Sequence, residues 1–444
     1  MKTLIFGGDT FADLKVAFQA HDDESCALLL AAQVSDNLES TRLLVREIHL
    51  VAEDAYSRRS PIEAEIRPEA LVSLVQRAKK EGLSVVFAHS HPNVTGTPVF
   101  SKVDDAGEAR LAEFLARRIP DKTHAALVIG SDGCAARVLG GAEQLAVVEV
   151  NAVVKDWTHR ADSKPQIRWD RQVRVFGPEG QAVIQRAKVA IVGLGGTGSI
   201  VAQELAHLGV SDFILVDHDV ADETNLNRLV GATQENIGQR KVDVAQKMIS
   251  KVNPSAKVQV TAGDVADIDV ARSLVGCNAV FSCTDSHASR AILNQLAYQY
   301  LMPLFDVGVG IVAKEGVITH VTGRIQMASP GLPCLICAGV IDSKAVRIEL
   351  QSEIHRAADP YITGHHEPQP AVISLNGTVS SMVVTMFMAA FAGLPMPTRL
   401  QYYNGLLGTV RAATLRADAS CIVCSRSGAL ARGDAWSLFG RVRR

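Results

Sequence analysis

Residues 187–219 read AKVAIVGLGGTGSIVAQELAHLGVSDFILVDHD, and few stretches restrict a fold as much. AKVAIVG and FILVDHD are short apolar runs of strand length, and the segment between them, through AQELAHLG, has helical patterning. Strand, helix and strand in that order form a β-α-β unit, for which a parallel sheet is expected. The turn between the first strand and the helix carries Gly193, Gly195, Gly196 and Gly198, spaced G-x-G-x-x-G. Glycines there let backbone approach a phosphate closely, and the helix N-terminus offers free N–H groups and a positive dipole end. Asp217, at the end of the second strand, suits an acceptor for a ribose hydroxyl. By itself this loop favours a dinucleotide-dependent dehydrogenase.

The residues downstream argue for different chemistry. They run Val216, Asp217, His218 and Asp219, then Asn225, Leu226 and Arg228, then Gly238 to Lys241, then Ser282, Cys283, Thr284 and Asp285. Taken in this order, from about Arg168 to Cys424, the series resembles the ubiquitin-activating superfamily of adenylating enzymes, the ThiF/MoeB type. The resemblance implies a Rossmann-like adenylating domain that uses ATP and Mg2+. It makes Arg228 and Lys241 phosphate ligands with Asn225 beside them, Asp217 the ribose ligand with Asp219 nearby, and Asp285 the magnesium ligand. Arg168, Arg171 and Gln172 match the leading helix of that family, where an arginine reaches into the neighbouring subunit's nucleotide site. A homodimer is therefore implied, with Arg171 touching the partner's ATP. Such a site must hold a polyphosphate, a metal and an anionic nucleophile together, which explains its cations and its carboxylate.

Four of the eight cysteines form two C-x-x-C pairs, Cys334/Cys337 and Cys421/Cys424. Two matched pairs suit four thiolates around a tetrahedral structural zinc with no open position; a redox pair is the alternative. The resembled family carries the same paired knuckle. Its thioester-forming members usually have a nucleophilic cysteine on the crossover loop, yet Ala338–Ile373 contains none, only His355, His365 and His366. Cys277 and Cys283 are expected to be buried. The expectation is an acyl-adenylate passed directly to sulfur, an amine or a separate carrier.

The first 150 residues read as a separate mixed α/β unit. CALLLAAQV, RLLVREIHLV, LSVVFAHSH and HAALVIGS are strand-like, whereas RPEALVSLVQRAKKEG and DDAGEARLAEFLARRI are helical. His89 and His91 stand two apart at the end of a strand, so their side chains share a face. With Asp104 they offer three ligands and leave a fourth position to water, the arrangement of a catalytic zinc site. Ser101 and Asp104 also read as a plain capping box at a helix start.

His89-Ser90-His91-Pro92 followed by Ser101-x-x-Asp104 resembles the JAMM (MPN-plus, JAB) metalloprotease motif over about the first 140 residues. The resemblance makes His89, His91 and Asp104 zinc ligands, Glu24 the general base, and Ser101 a donor to the developing oxyanion. Two features depart from the pattern: the His91–Ser101 stretch is long, and Phe100 stands where Pro is often found.

The 444 residues thus divide into a JAB/MPN-like domain over 1–150, a linker over 151–165, and a ThiF/MoeB-like adenylyltransferase domain with a four-cysteine zinc knuckle over 166–444. Forty-seven acids against forty-five bases leave a net charge of −2 without a basic block, so nucleic acid is not an expected partner. The apolar stretch Val379–Leu394 is short for a membrane span and reads as a helix packed inside the fold. The N-terminus lacks the features of a secretory leader, and a cytoplasmic protein is expected.

Both halves point to the tail of a ubiquitin-like or sulfur-carrier protein, trimmed or released by one site and activated by the other. A separate conjugating or sulfur-transfer protein is a further expected partner. The rival readings are adenylation of a peptide or small molecule in cofactor or natural-product biosynthesis, and a JAMM-like half that serves only for docking.

Overall fold

The computed structural model describes residues 2–35, 40–158, 166–351 and 370–442. The chain forms two compact units, Met1–Arg160 with Gln299–Leu301 and Arg426–Ser437, and Ala161–Tyr298 with Met302–Ser425 and Leu438–Arg444.

The first unit contains β1 (Lys2–Gly7), α1 (Thr10–Gln19), β2 (Cys26–Ser35), β3 (Thr41–Leu50), β4 (Tyr56–Ser60), β5 (Glu63–Ile66), α2 (Glu69–Glu81), β6 (Ser84–Ser90), α3 (Lys102–Arg118), β7 (Ala125–Ile129), β8 (Cys134–Val138), β9 (Gln144–Val150) and β10 (Val154–Asp156). Its main sheet runs β1-β3-β2-β6-β7-β8-β9-β10, and β1 also pairs with β9 in parallel, which closes the sheet on itself. Phe6, Phe11, Phe18, Leu29, Val86, Leu127 and Val147 meet in the core. Here β2 and β6 are nearly continuous apolar runs because both of their faces are covered. α2 ends at Gly82 in a left-handed cap (φ +65°), as its sequence predicts.

Two boundaries differ from the sequence reading. The stretch expected to be linker begins with a strand, since β10 pairs antiparallel with β9; three residues are too short to show a periodicity. Residues 426–437 belong to the first unit rather than to the second. Gln299 Nε2 donates to Gly433 O at 2.8 Å and the Tyr300 hydroxyl to Asp434 Oδ1 at 2.9 Å within that unit.

The second unit contains α4 (Asp170–Arg186), β11 (Lys188–Val192), α5 (Gly196–Leu208), β12 (Asp212–Val216), α6 (Lys241–Val252), β13 (Lys257–Thr261), α7 (Ile268–Arg272), β14 (Ala279–Ser282), α8 (His287–Gln299), β15 (Leu304–Lys314), β16 (Val317–Ala328), α9 (Ser343–Leu350), α10 (Ile373–Phe391), β17 (Leu400–Asn404) and β18 (Thr409–Ala412). The sheet order is β13-β12-β11-β14-β15-β16-β17-β18, parallel through β15 and antiparallel beyond it. Chain order reverses between β11 and β14, the point where such sheets open a ligand crevice at their carboxyl ends.

α10 is long and apolar enough to cross a membrane, but it packs inside the unit. Phe387 on α10 stands 5.7 Å from both Phe281 and Phe305 and 4.6 Å from Phe391, ring centre to ring centre. His355, His365 and His366 lie outside the described residues.

Candidate functional site

β6 delivers the first cluster. His89, its penultimate residue, is only 2% exposed, and its ring Nδ1 is buried without a hydrogen-bond partner. A polar ring in that condition costs free energy unless something ligates it. His89 Nε2 lies 3.2 Å from Asp104 Oδ1, and His91 Nε2 lies 3.5 Å from Asp104 Oδ2 and 3.7 Å from Glu24 Oε1. Donor atoms of His89, His91 and Asp104 all fall within 4.8 Å of one another. Zinc–nitrogen bonds of about 2.0–2.1 Å place tetrahedral ligand atoms about 3.4 Å apart, so this donor set fits zinc.

Asp104 joins a capping box that leaves its other carboxylate oxygen facing His89. Its Oδ2 accepts from Ser101 N at 2.6 Å and the Ser101 hydroxyl accepts from Asp104 N at 3.1 Å, closing a capping box, while Oδ1 faces His89. Burial opposes charge on Asp104, but His89 and His91 overcome it and hold the carboxyl far below the usual carboxylate range. Burial pushes the Glu24 carboxyl up, against the pull of the two histidines.

Glu24 is positioned by its backbone: its N–H donates to Ser60 O at 2.9 Å, and its carbonyl accepts from Arg59 Nε at 2.9 Å. The same arginine donates to Ser25 Oγ at 2.7 Å. Arg59 was invisible to motif reasoning because both partners lie far from it in sequence and one of them is a main-chain carbonyl. The long stretch after His91 is pinned: Ser131 donates to Val94 O from both its N–H and its hydroxyl, each at 3.1 Å.

The glycine loop lies at the switch point. Gly193 has φ +87°, and a Cβ there would stand 2.7 Å from Cys283 O, so the loop after β11 runs tight against the end of β14. A Cβ on Gly198 would stand 1.8 Å from Gly193 O. Asp217, 8% exposed, accepts from Leu194 N at 2.6 Å and Asp219 N at 2.8 Å, so it braces the loop from β12.

Lys241 Nζ pairs with Asp219 Oδ2 at 2.7 Å. Arg228 Nη1 donates to Thr224 O at 2.6 Å, and Asn225 Nδ2 donates to Asp222 Oδ2 at 3.0 Å while its Oδ1 is buried without a partner. Asp285 is exposed, one residue beyond Thr284, and its carbonyl accepts from Arg290 Nη1 at 3.4 Å. Arg171 is exposed on α4 and makes no hydrogen bond to the loop among the described residues.

Other neighbours of this crevice carried no sequence signal. Asp306, fully buried, pairs with Arg290 Nε at 3.2 Å and also with Arg324 Nη2. Glu349 on α9 accepts from Ser286 Oγ at 2.6 Å and Ala288 N at 2.8 Å, which ties α9 to the start of α8 beside Asp285. Cys277 is buried, and burial pushes the half-buried Cys283 thiol well up, so neither is a ready nucleophile.

The cysteine pairs meet although 87 residues separate them in sequence: Cys334 Sγ–Cys421 Sγ and Cys337 Sγ–Cys424 Sγ are each 3.6 Å. Zinc–sulfur bonds of about 2.3 Å put tetrahedral sulfurs about 3.8 Å apart, so these four fit a structural zinc. Asp418 N donates to Cys337 Sγ at 3.4 Å, as thiolate ligands commonly receive.

Both parts of the chain resemble known proteins in sequence. Residues 14–139 match prokaryotic homologs of the JAB domain, and residues 169–423 match the ThiF family. Molybdopterin-synthase adenylyltransferase of Escherichia coli is 26% identical over 262 residues, 59% of this chain and 96% of that protein. SAMP-activating enzyme E1 of Haloferax volcanii is 26% identical over 254 residues, 57% of this chain and 85% of its own. Sulfur carrier protein adenylyltransferase of Thermus thermophilus is 27% identical over 260 residues, 58% of this chain and 90% of its own. More than half of the chain, including the glycine loop, the switch-point crevice and three of the four knuckle cysteines, lies within the second match; the chain belongs to the ThiF family and carries a JAB-type domain ahead of its ThiF domain.

Proposed function

We propose that this chain uses ATP to adenylate the C-terminal carboxylate of a ubiquitin-like or sulfur-carrier protein, and that its JAB-type site cleaves at that protein's tail. Support for the first half of this reading comes from the glycine loop at the switch point, with Arg228 beside Gly196, Lys241 paired to Asp219 and Asp285 just past β14. Relatives named for activating carriers of this kind support the choice of substrate.

In the crevice, the α5 N-terminus, Arg228 and Lys241 take the polyphosphate, and their positive charge offsets the negative charge that gathers as the carboxylate attacks the α-phosphorus. Lys241 must first exchange its Asp219 partner for phosphate. Asp217 accepts from the ribose with the lone pairs its two backbone bonds leave free, and Asn225 adjoins the phosphates. Asp285 would hold magnesium, which screens the phosphate charge when bound. In a homodimer, Arg171 reaches the partner copy's nucleotide. Without a cysteine on the crossover segment, the acyl-adenylate passes to sulfur, an amine or a separate carrier.

In the JAB-type site, His89, His91 and Asp104 would hold zinc, which supplies Lewis acidity toward a scissile carbonyl and acidifies water. Glu24, its affinity for protons raised by burial, takes a proton from the attacking water and returns it to the leaving amine. Ser101 donates to the oxygen on which negative charge develops.

The test is ATP–pyrophosphate exchange with a purified ubiquitin-like or sulfur-carrier protein. Exchange that needs the partner's free C-terminal carboxylate, and that is lost in Arg228→Ala and Asp285→Ala but kept in Glu24→Gln, is the expected result. Exchange that proceeds equally with a short peptide and no carrier protein would overturn the substrate assignment.

A further inference from the structure

α10 begins at Ile373 and runs for 19 residues without a side-chain cap at its start. On its first turn stands Asn376, 5% exposed. The carboxamide nitrogen lies 2.2 Å from where a Cβ on Gly196 would be, and Arg228 Cδ lies 3.3 Å from that same point. Gly196 is the first residue of α5, so two nitrogen-bearing side chains from distant parts of the chain close on one helix N-terminus. One turn further along α10, Ser380 Oγ donates to Thr197 O at 3.2 Å and fastens the two helices together.

The Asn376 side chain makes no hydrogen bond with a described residue, although its amide carries two N–H donors. A carboxamide held in that place with unused donors can give them to an acceptor bound at the helix end. An apolar residue would pack there at lower cost if packing were its only role.

The acceptor suited to that place is anionic. Free N–H groups at the α5 N-terminus, its positive dipole end and Arg228 all select for negative oxygens. We propose that Asn376 is a nucleotide-contact residue that donates its amide N–H to the phosphate chain of ATP above Gly196. This rests on the adenylation reading, which puts the phosphates at that helix end. Gly196 must lack a side chain for the same reason, since a methyl group would occupy the position of the amide.

The test measures the dissociation constants of ATP and adenosine for the full chain and for Asn376→Leu and Asn376→Asp, beside melting curves without nucleotide. Asn376→Leu keeps the approximate size and removes the donor; Asn376→Asp keeps the shape and sets an anion against the phosphates. ATP is expected to bind about tenfold or more weakly to the leucine variant, and weaker still to the aspartate variant, while adenosine binds all three alike. ATP affinity within twofold of wild type in either folded variant, or equal losses for ATP and adenosine, would overturn the proposal. A wild-type chain that bound NAD but not ATP would instead overturn the adenylation reading. The same variants measured on NAD would then still judge the amide, because NAD carries a pyrophosphate and adenosine does not.

Discussion

The guanidinium of Arg137 lies 3.9 Å from the ring centre of Phe100, and that ring stands 6.1 Å from the imidazole of His89. Phe100 is the residue that replaces the proline often found before the motif serine. It fills the space between an anchored arginine and a zinc-ligand candidate. Arg137 is itself held by Glu108 at 2.9 Å and Asp105 at 2.8 Å, so a chain of contacts runs from a buried acid to His89 and the acid–histidine cluster around it.

Arg137→Ala is therefore expected to destabilise the first unit by about 3 kcal/mol, because the buried Glu108 carboxylate loses its partner. Phe100→Ala should cost less stability but weaken zinc at the histidine site about tenfold, as a loosened supporting shell does. Denaturant unfolding and chelator competition would measure the two effects. Unchanged zinc affinity in Phe100→Ala would show that the ring only fills space.

Two glycines of the same loop are expected to respond differently to alanine. A Cβ on Gly195 meets nothing within 4 Å, whereas one on Gly198 would stand 1.8 Å from Gly193 O. Gly195→Ala should melt like wild type yet bind ATP at least tenfold more weakly, since the methyl group would project into phosphate space. Gly198→Ala should lose both stability and nucleotide. Equal melting temperatures for the two variants would contradict this placement of the loop.

Zinc content would separate the two candidate metal clusters. Wild type is expected to carry two zinc ions per chain, and His89→Ala or Cys421→Ser one each. The histidine variant should keep ATP binding and most of its melting temperature. The cysteine variant should melt several degrees lower, because a structural zinc contributes folding free energy. Elemental analysis beside calorimetry would check both expectations.

His124 provides a pH dependence. Burial lowers its pKa, and Nδ1 accepts from Val85 N at 3.0 Å, a bond that protonation of Nδ1 would break; only Nε2, 3.3 Å from Ile119 O, opposes the shift. A histidine whose folded pKa is depressed binds its proton more readily when unfolded. Its contribution is thus present above the ordinary value near 6.5 and is lost as pH falls below it. The first unit should weaken as pH falls below about 6.5, and His124→Gln should flatten that part of the profile. An identical slope in the variant would assign the effect elsewhere.

Much of the site was legible where function depends on local spacing. His89 and His91 share a strand face, Ser101 and Asp104 cap a helix, and the four loop glycines open another; each arrangement follows from a period of two, three or four residues. Glu24 needed a family likeness as well, since an acid before a strand has no spacing of its own. Arg59, Asp306, Glu349 and Asn376 left no trace of that kind. Each acts on a main-chain atom or a side chain far away in sequence, and such contacts have no period.

Sequence alone determined the β-α-β unit, the parallel sheet around it, the glycine-rich loop that opens α5 and the two pairs of thiols, because short-range backbone geometry and residue type suffice for these. Only the tertiary structure decided that Cys334 meets Cys421, that residues 426–437 join the first unit, and that Asn376 lies on Gly196. Those outcomes depend on how helices and strands pack to exclude water, and packing joins residues that the order of the chain keeps apart.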